Sequence, residues 1–120
     1  MKLAQIQMQV TDNKTLNLWH AAELIQQVEA DMVILPEMFC CPYDNGCFRA
    51  YGEEEGGAAW DILSRTARDK GIWLVGGSLP ELEGDRVYNT SYVFDPEGRQ
   101  VAKHRKMHLF DIDVAGGQSF

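Results

Sequence analysis

The sequence has no hydrophobic run near the roughly 20 residues that a membrane-spanning helix needs. Its first residues, Met1 to Met8, alternate polar and apolar, so they do not read as a secretory apolar core. Basic residues are scarce: 11 Lys and Arg stand against 18 Asp and Glu, a formal charge of -7. A nucleic-acid-binding surface wants a basic footprint, so no nucleic-acid partner is expected, and no membrane partner either. Proline numbers 4 and glycine 11 in 120 residues, which excludes collagen-like and proline-rich low complexity. Cysteine numbers only 3, at Cys40, Cys41 and Cys47, with no C-x-x-C spacing and no close downstream His. This reads as reduced thiols in a cytoplasmic protein, with no metal site. His104 and His108 lie four apart but lack a third ligand, so zinc is not expected there.

What is present is ordinary globular material, 45% hydrophobic and 24% charged, in a length that suits one domain. Lys2 to Val10 reads as a strand. Thr11, Asp12 and Asn13 then offer an N-cap, and Leu18, Ala21, Ala22, Ile25 and Val28 predict a helix over Lys14 to Glu29. Met32 to Leu35 is a short apolar run without alternation, which suits a strand buried on both faces. Strand, helix and strand together make a βαβ unit with parallel strands.

Cys40 to Gly57 reads as a long loop, of the kind that is often functional. Glu53, Glu54 and Glu55 suit the first turn of a second helix, whose stripe is Ala59, Ile62, Leu63, Thr66 and Ala67, with Gly71 after Lys70 as a good residue to follow its end. Ile72 to Leu79 predicts a further buried strand. Turns at Glu83-Gly84-Asp85 and Asp95-Pro96-Glu97-Gly98 then fold Arg86–Phe94 and Gln100–His104 into an antiparallel meander. The expected class is α/β: a mixed sheet with the meander at its C-terminal end.

Three positions stand out chemically. Glu37 directly follows the second strand, where open α/β sheets place ligand sites. Partial burial among Leu35, Met38 and Phe39 would raise its pKa toward that of a general base; a capping or ion-paired Glu is the alternative. Lys106 ends the basic run Lys103-His104-Arg105-Lys106, most of which reads as solvated. Followed by Met107, Leu109 and Phe110, Lys106 itself has an apolar setting in which an ammonium could stabilise an oxyanion. Tyr43, in the loop after Glu37, can bind a polar substrate or pack over the loop.

These residues resemble those of a known family. Met32-Val33-Ile34-Leu35-Pro36-Glu37-Met38-Phe39 is similar to the first signature of the nitrilase superfamily of carbon–nitrogen hydrolases, and Lys103 to Asp111 to its second. Leu3 to Gln7, Gly76-Gly77-Ser78 and Tyr88-Asn89-Thr90 match between and before them. Phe39-Cys40-Cys41-Pro42-Tyr43 and His108 to Asp113 look most like the omega-amidase branch, although Ala115 stands where those relatives usually carry Pro. The resemblance implies an α-β-β-α sandwich, of which residues 1–120 would be the front half, truncated before the nucleophile motif. It implies a Glu-Lys-Cys mechanism on a small-molecule amide, with Glu37 as base, Lys106 as oxyanion stabiliser and the Cys on a strand beyond Phe120. Cys40 and Cys41 match a loop of the family and not its nucleophile turn. Homo-oligomers are also implied, and no metal or organic cofactor is. The alternatives are a catalytically inactive half-domain that acts in binding or assembly, and a ureidopropionase-like or nitrile-cleaving enzyme.

Overall fold

A computed structural model describes residues 1–109; of Asn45 and residues 107–109 only the backbone is described. The readings that rest on the side chains of residues 107–109, on Phe110 to Asp113 and on Ala115 lie outside the described residues. The elements in chain order are β1 (Leu3–Gln5), α1 (Lys14–Gln26), β2 (Met32–Ile34), α2 (Asn45–Tyr51), α3 (Ala58–Lys70), β3 (Trp73–Val75), β4 (Leu79–Glu83), β5 (Arg86–Phe94) and β6 (Gln100–Leu109).

The six strands form one mixed sheet. β1, β2 and β3 are parallel, aligned through Ala4, Val33 and Leu74. β5 is antiparallel to three neighbours. Its C-terminal end pairs β3 (Leu74 with Phe94), its N-terminal part pairs β4, and β6 takes the other edge. The α/β class and the C-terminal meander expected from the sequence are therefore observed.

One face of the sheet is packed. Val33, Leu74, Tyr92 and Phe94 are fully buried there against Leu18, Ala21 and Ile25 of α1 and Ala59, Leu63 and Ala67 of α3. The neighbouring strand positions, Met32, Ile34, Trp73, Val75 and Val93, alternate to the other face and are half-buried. A second small cluster, Met38, Cys41, Phe48 and Val87, pins the segment after β2.

Several boundaries differ from the sequence reading for physical reasons. The first strand is only Leu3–Gln5: its ladder stops where β2 runs into Pro36, with Ile6 N–H on Ile34 O (2.9 Å) as the last rung. The first helix ends at Gln26, and the Asn13 side chain caps it by accepting from Leu16 N–H at 3.0 Å. The long loop contains a helix, α2. Asp44 caps it by accepting from Gly46 N–H, and Phe48 anchors it in the core. Glu53 does not enter the first turn of α3. It lies outside and caps that helix, accepting from Ala59 N–H (2.9 Å) and Trp60 N–H (3.0 Å) while holding Lys14 of α1 at 2.8 Å. Ile72 to Leu79 is not one strand. It breaks at Gly76-Gly77-Ser78, because Gly77 has φ +52° and a Cβ there would lie 2.1 Å from Pro36 O. The last strand runs past His104 to Leu109. Among the described residues, no helix is long and apolar enough to cross a membrane.

Candidate active site

Glu37 is placed by the turn that leaves β2. Pro36 fixes φ on one side of it, and buried Met38 sits at φ +52° on the other, held by its N–H on Ser78 Oγ at 3.1 Å. Leu35, Met38 and Phe39 all turn into the core, so the carboxylate itself points outward and its side chain is 44% exposed.

On β6, side chains alternate between faces. Lys103 and Arg105 point to the helix side, and His104 and Lys106 to the other. Lys106 Nζ lies 2.7 Å from Glu37 Oε2, bringing together residues 69 positions apart. Asn89 of β5 donates its Nδ2–H to the same Oε2, also at 2.7 Å. These groups, with Leu35, Gly77, Ser78, Ser91 and His104, line a cleft of about 200 Å³. A larger groove of about 660 Å³ runs between α1 and α3 past Leu18, Trp19 and Ile62, but the paired Glu and Lys lie elsewhere, in the smaller cleft.

The electrostatics correct one expectation. The hydrogen bond from Lys106 outweighs the modest effect of burial and, with Asn89, holds Glu37 below the usual carboxylate range instead of raising it. Glu37 in turn holds Lys106 charged above the usual lysine range, and Lys106 is half-exposed. The pair is therefore a carboxylate beside an ammonium at neutral pH. Tyr43 is 65% exposed and packs edge-on against Phe48 at 5.4 Å. It is not among the cleft-lining residues, although it lies near Lys106.

A second correction concerns the rest of the basic run. Lys103 and Arg105 are not free charges but ion-paired ones. Arg105 grips buried Glu81 with Nε (2.9 Å) and Nη2 (3.0 Å) and stacks over Tyr88, and Lys103 bonds Glu81 (2.8 Å) and Glu55 (2.6 Å). This network lies on the sheet face opposite the cleft. Cys40 and Cys41 are poor nucleophile candidates: burial pushes both up to about 12. Among the described residues, no group of three or more His, Cys, Asp and Glu could hold a metal ion.

Sequence reasoning missed Asn89, Ser91 and His104 as cleft residues. The signal was the period-two pattern of β5 and β6, which puts Asn89, Ser91, His104 and Lys106 on one face once the register is known.

A parallel βαβ front and a meander behind it make an α/β fold that holds a Glu–Lys pair across the cleft between them. The carbon-nitrogen hydrolase family matches residues 2–120, and the chain belongs to that family. The chain is 46% identical over 118 residues to the omega-amidase NIT2 of Danio rerio, covering 96% of this chain and 43% of that protein. The human omega-amidase NIT2 is 42% identical over 122 residues, covering 99% and 44% respectively. The solved structure of Saccharomyces cerevisiae Nit3, a member of branch 10 of the nitrilase superfamily, superposes with a TM-score of 0.83 at 34% identity, over 99% of this chain and 49% of that one. The chain thus spans less than half the length of the curated relatives that it matches.

Proposed function

We propose that these 120 residues are the N-terminal part of an omega-amidase-like carbon–nitrogen hydrolase domain, which hydrolyses the terminal amide of a small molecule and works as a homo-oligomer. The observation that carries this reading is the 2.7 Å contact between Lys106 Nζ and Glu37 Oε2 at the mouth of the cleft. In this reading a cysteine from outside the 120 residues supplies the nucleophile. Glu37 takes the thiol proton, and the thiolate attacks the amide carbon. The tetrahedral oxyanion forms beside the Lys106 ammonium, which its carboxylate partner keeps charged. The proton passes from Glu37 to the leaving nitrogen, ammonia departs and a thioester remains. Water then gives a proton to the Glu37 carboxylate and attacks the thioester, releasing the acid and the thiol. Tyr43, on the loop beside Lys106, is the proposed substrate-binding residue.

The experiment compares kcat of whole-protein variants under saturating substrate. Glu37→Gln keeps shape but accepts no proton, so kcat falls by about two orders of magnitude or more. Lys106→Arg keeps charge but replaces a compact ammonium with a planar fork, raising the barrier by about 3 kcal/mol. Exposed Arg68 on α3, changed to Ala, is the control and leaves kcat within about twofold. Equal, small effects of Lys106→Arg and Arg68→Ala would remove Lys106 from the mechanism.

A further inference from the structure

Two donors meet on one oxygen of Glu37. Lys106 Nζ and Asn89 Nδ2 both lie 2.7 Å from Oε2, and Oε1 has no hydrogen-bond partner among the described residues. Resting on the assignment of Glu37 as base, we propose that Asn89 is a positioning residue: by sharing Oε2 with Lys106, it leaves Oε1 as the oxygen that receives the nucleophile's proton.

Three features carry this. The first is the environment of Asn89, which is 2% exposed and whose Oδ1 is buried without a hydrogen-bond partner among the described residues. An unpaired buried acceptor costs stability, so the residue is not there to satisfy itself; its one side-chain hydrogen bond among the described residues is to Glu37. The second is orientation. The reversed amide would set Oδ1 against Oε2, two acceptors facing each other, so the donor must point at the carboxylate. The third is the sheet register. Tyr88 pairs Leu109 and Thr90 pairs Arg105, so the single residue Asn89 faces a bulge of three on β6, residues 106–108. Bulges re-aim side chains beside active sites, and this one begins at Lys106. Bulge and amide thus converge on the same oxygen from adjacent strands.

The ionisable groups around Glu37 are Lys106 and His104 from β6 and Tyr43 from the loop after β2; Gly77 and Ser78 bring none from the β3–β4 turn. Asn89 is neutral, so its effect on Glu37 is that of one donor favouring the charged form.

The test is the pH profile of kcat/KM in the whole protein, followed by ammonia release from a short α-keto amide. Asn89→Leu removes the donor at similar volume. The acid limb should move up by about one pH unit, and kcat should fall at least about tenfold with KM changed less than about threefold. Asn89→Asp keeps the shape but sets a carboxylate against Glu37, and should move the limb further up. If Asn89→Leu does not fold, Asn89→Asp decides alone. An unmoved limb with kcat near the parent value in a folded variant overturns the proposal. The assignment of Glu37 as base fails separately, by retained activity in Glu37→Gln. In that event NMR titration of the Glu37 carboxyl carbon still tests the contact: its pKa rises in Asn89→Leu if Asn89 holds Oε2, and stays in place if it does not.

Discussion

Glu81 is the buried charge on which the far side of the sheet depends, and its titration predicts how stability varies with pH. It lies on β4, 2% exposed, and accepts from Thr90 Oγ1 (2.8 Å), Lys103 Nζ (2.8 Å) and Arg105 Nε and Nη2 (2.9 and 3.0 Å). Burial raises its pKa, but the donors from Arg105, Lys103 and Thr90 outweigh burial and bring it from 4.5 to about 2. Because the folded value is the lower one, the contribution is complete above pH 4.5 and is lost as pH falls through about 2. At about 1.36 kcal/mol per pH unit, the ceiling is about 3 kcal/mol. The Lys103 and Arg105 side chains are 25% and 29% exposed, so solvent screens the network, and about 2 kcal/mol is the working value. Glu81→Gln keeps the shape and loses the charge. In urea denaturation at pH 7 the variant should be less stable by about 2 kcal/mol, and the gap should close as pH falls from about 4.5 toward 2. A gap that does not change with pH, or one below about 0.5 kcal/mol at pH 7, would refute the reasoning.

Two further outcomes are expected. Gly77→Ala forces a Cβ to 2.1 Å from Pro36 O at φ +52°, so thermal unfolding should show a loss of at least about 3 kcal/mol, and a melting temperature within a few degrees of the parent would contradict this. The 120-residue chain by itself should release no ammonia from a short α-keto amide, because its Cys40 and Cys41 thiols are buried and pushed up to about 12; release that Glu37→Gln abolishes would restore one of them as nucleophile.

What was legible in the sequence was what depends on near neighbours. The apolar run into Pro36-Glu37 announced a strand end bearing a carboxylate, and helical spacing announced α1 and α3. The meander turns were legible in Gly84 and in Asp95-Pro96-Glu97-Gly98, where Gly98 N–H closes on Asp95 O at 2.8 Å. What was not legible depends on pairing across the sheet. Nothing local says that Glu37 meets Lys106 and Asn89, 69 and 52 positions away, or that Lys103 and Arg105 reach Glu81. The expected upward displacement of the Glu37 pKa failed for a related reason. Its apolar neighbours do not surround it: they bury themselves on the other side of the chain and leave the carboxylate to Lys106 and Asn89 opposite. The helix α2 was hidden by Asp44-Asn45-Gly46, which has the composition of a turn but serves here as a cap and first turn.

The backbone around Glu37 bears on the role proposed for it. Pro36 admits one φ range, and Met38 is locked in a conformation that free chains rarely visit, inside a buried cluster and under the Ser78 hydroxyl. The entropy of fixing the backbone that carries the carboxylate is therefore lost once, when the chain folds. In the mechanism proposed above, an arriving substrate would meet a carboxylate whose direction has already been chosen.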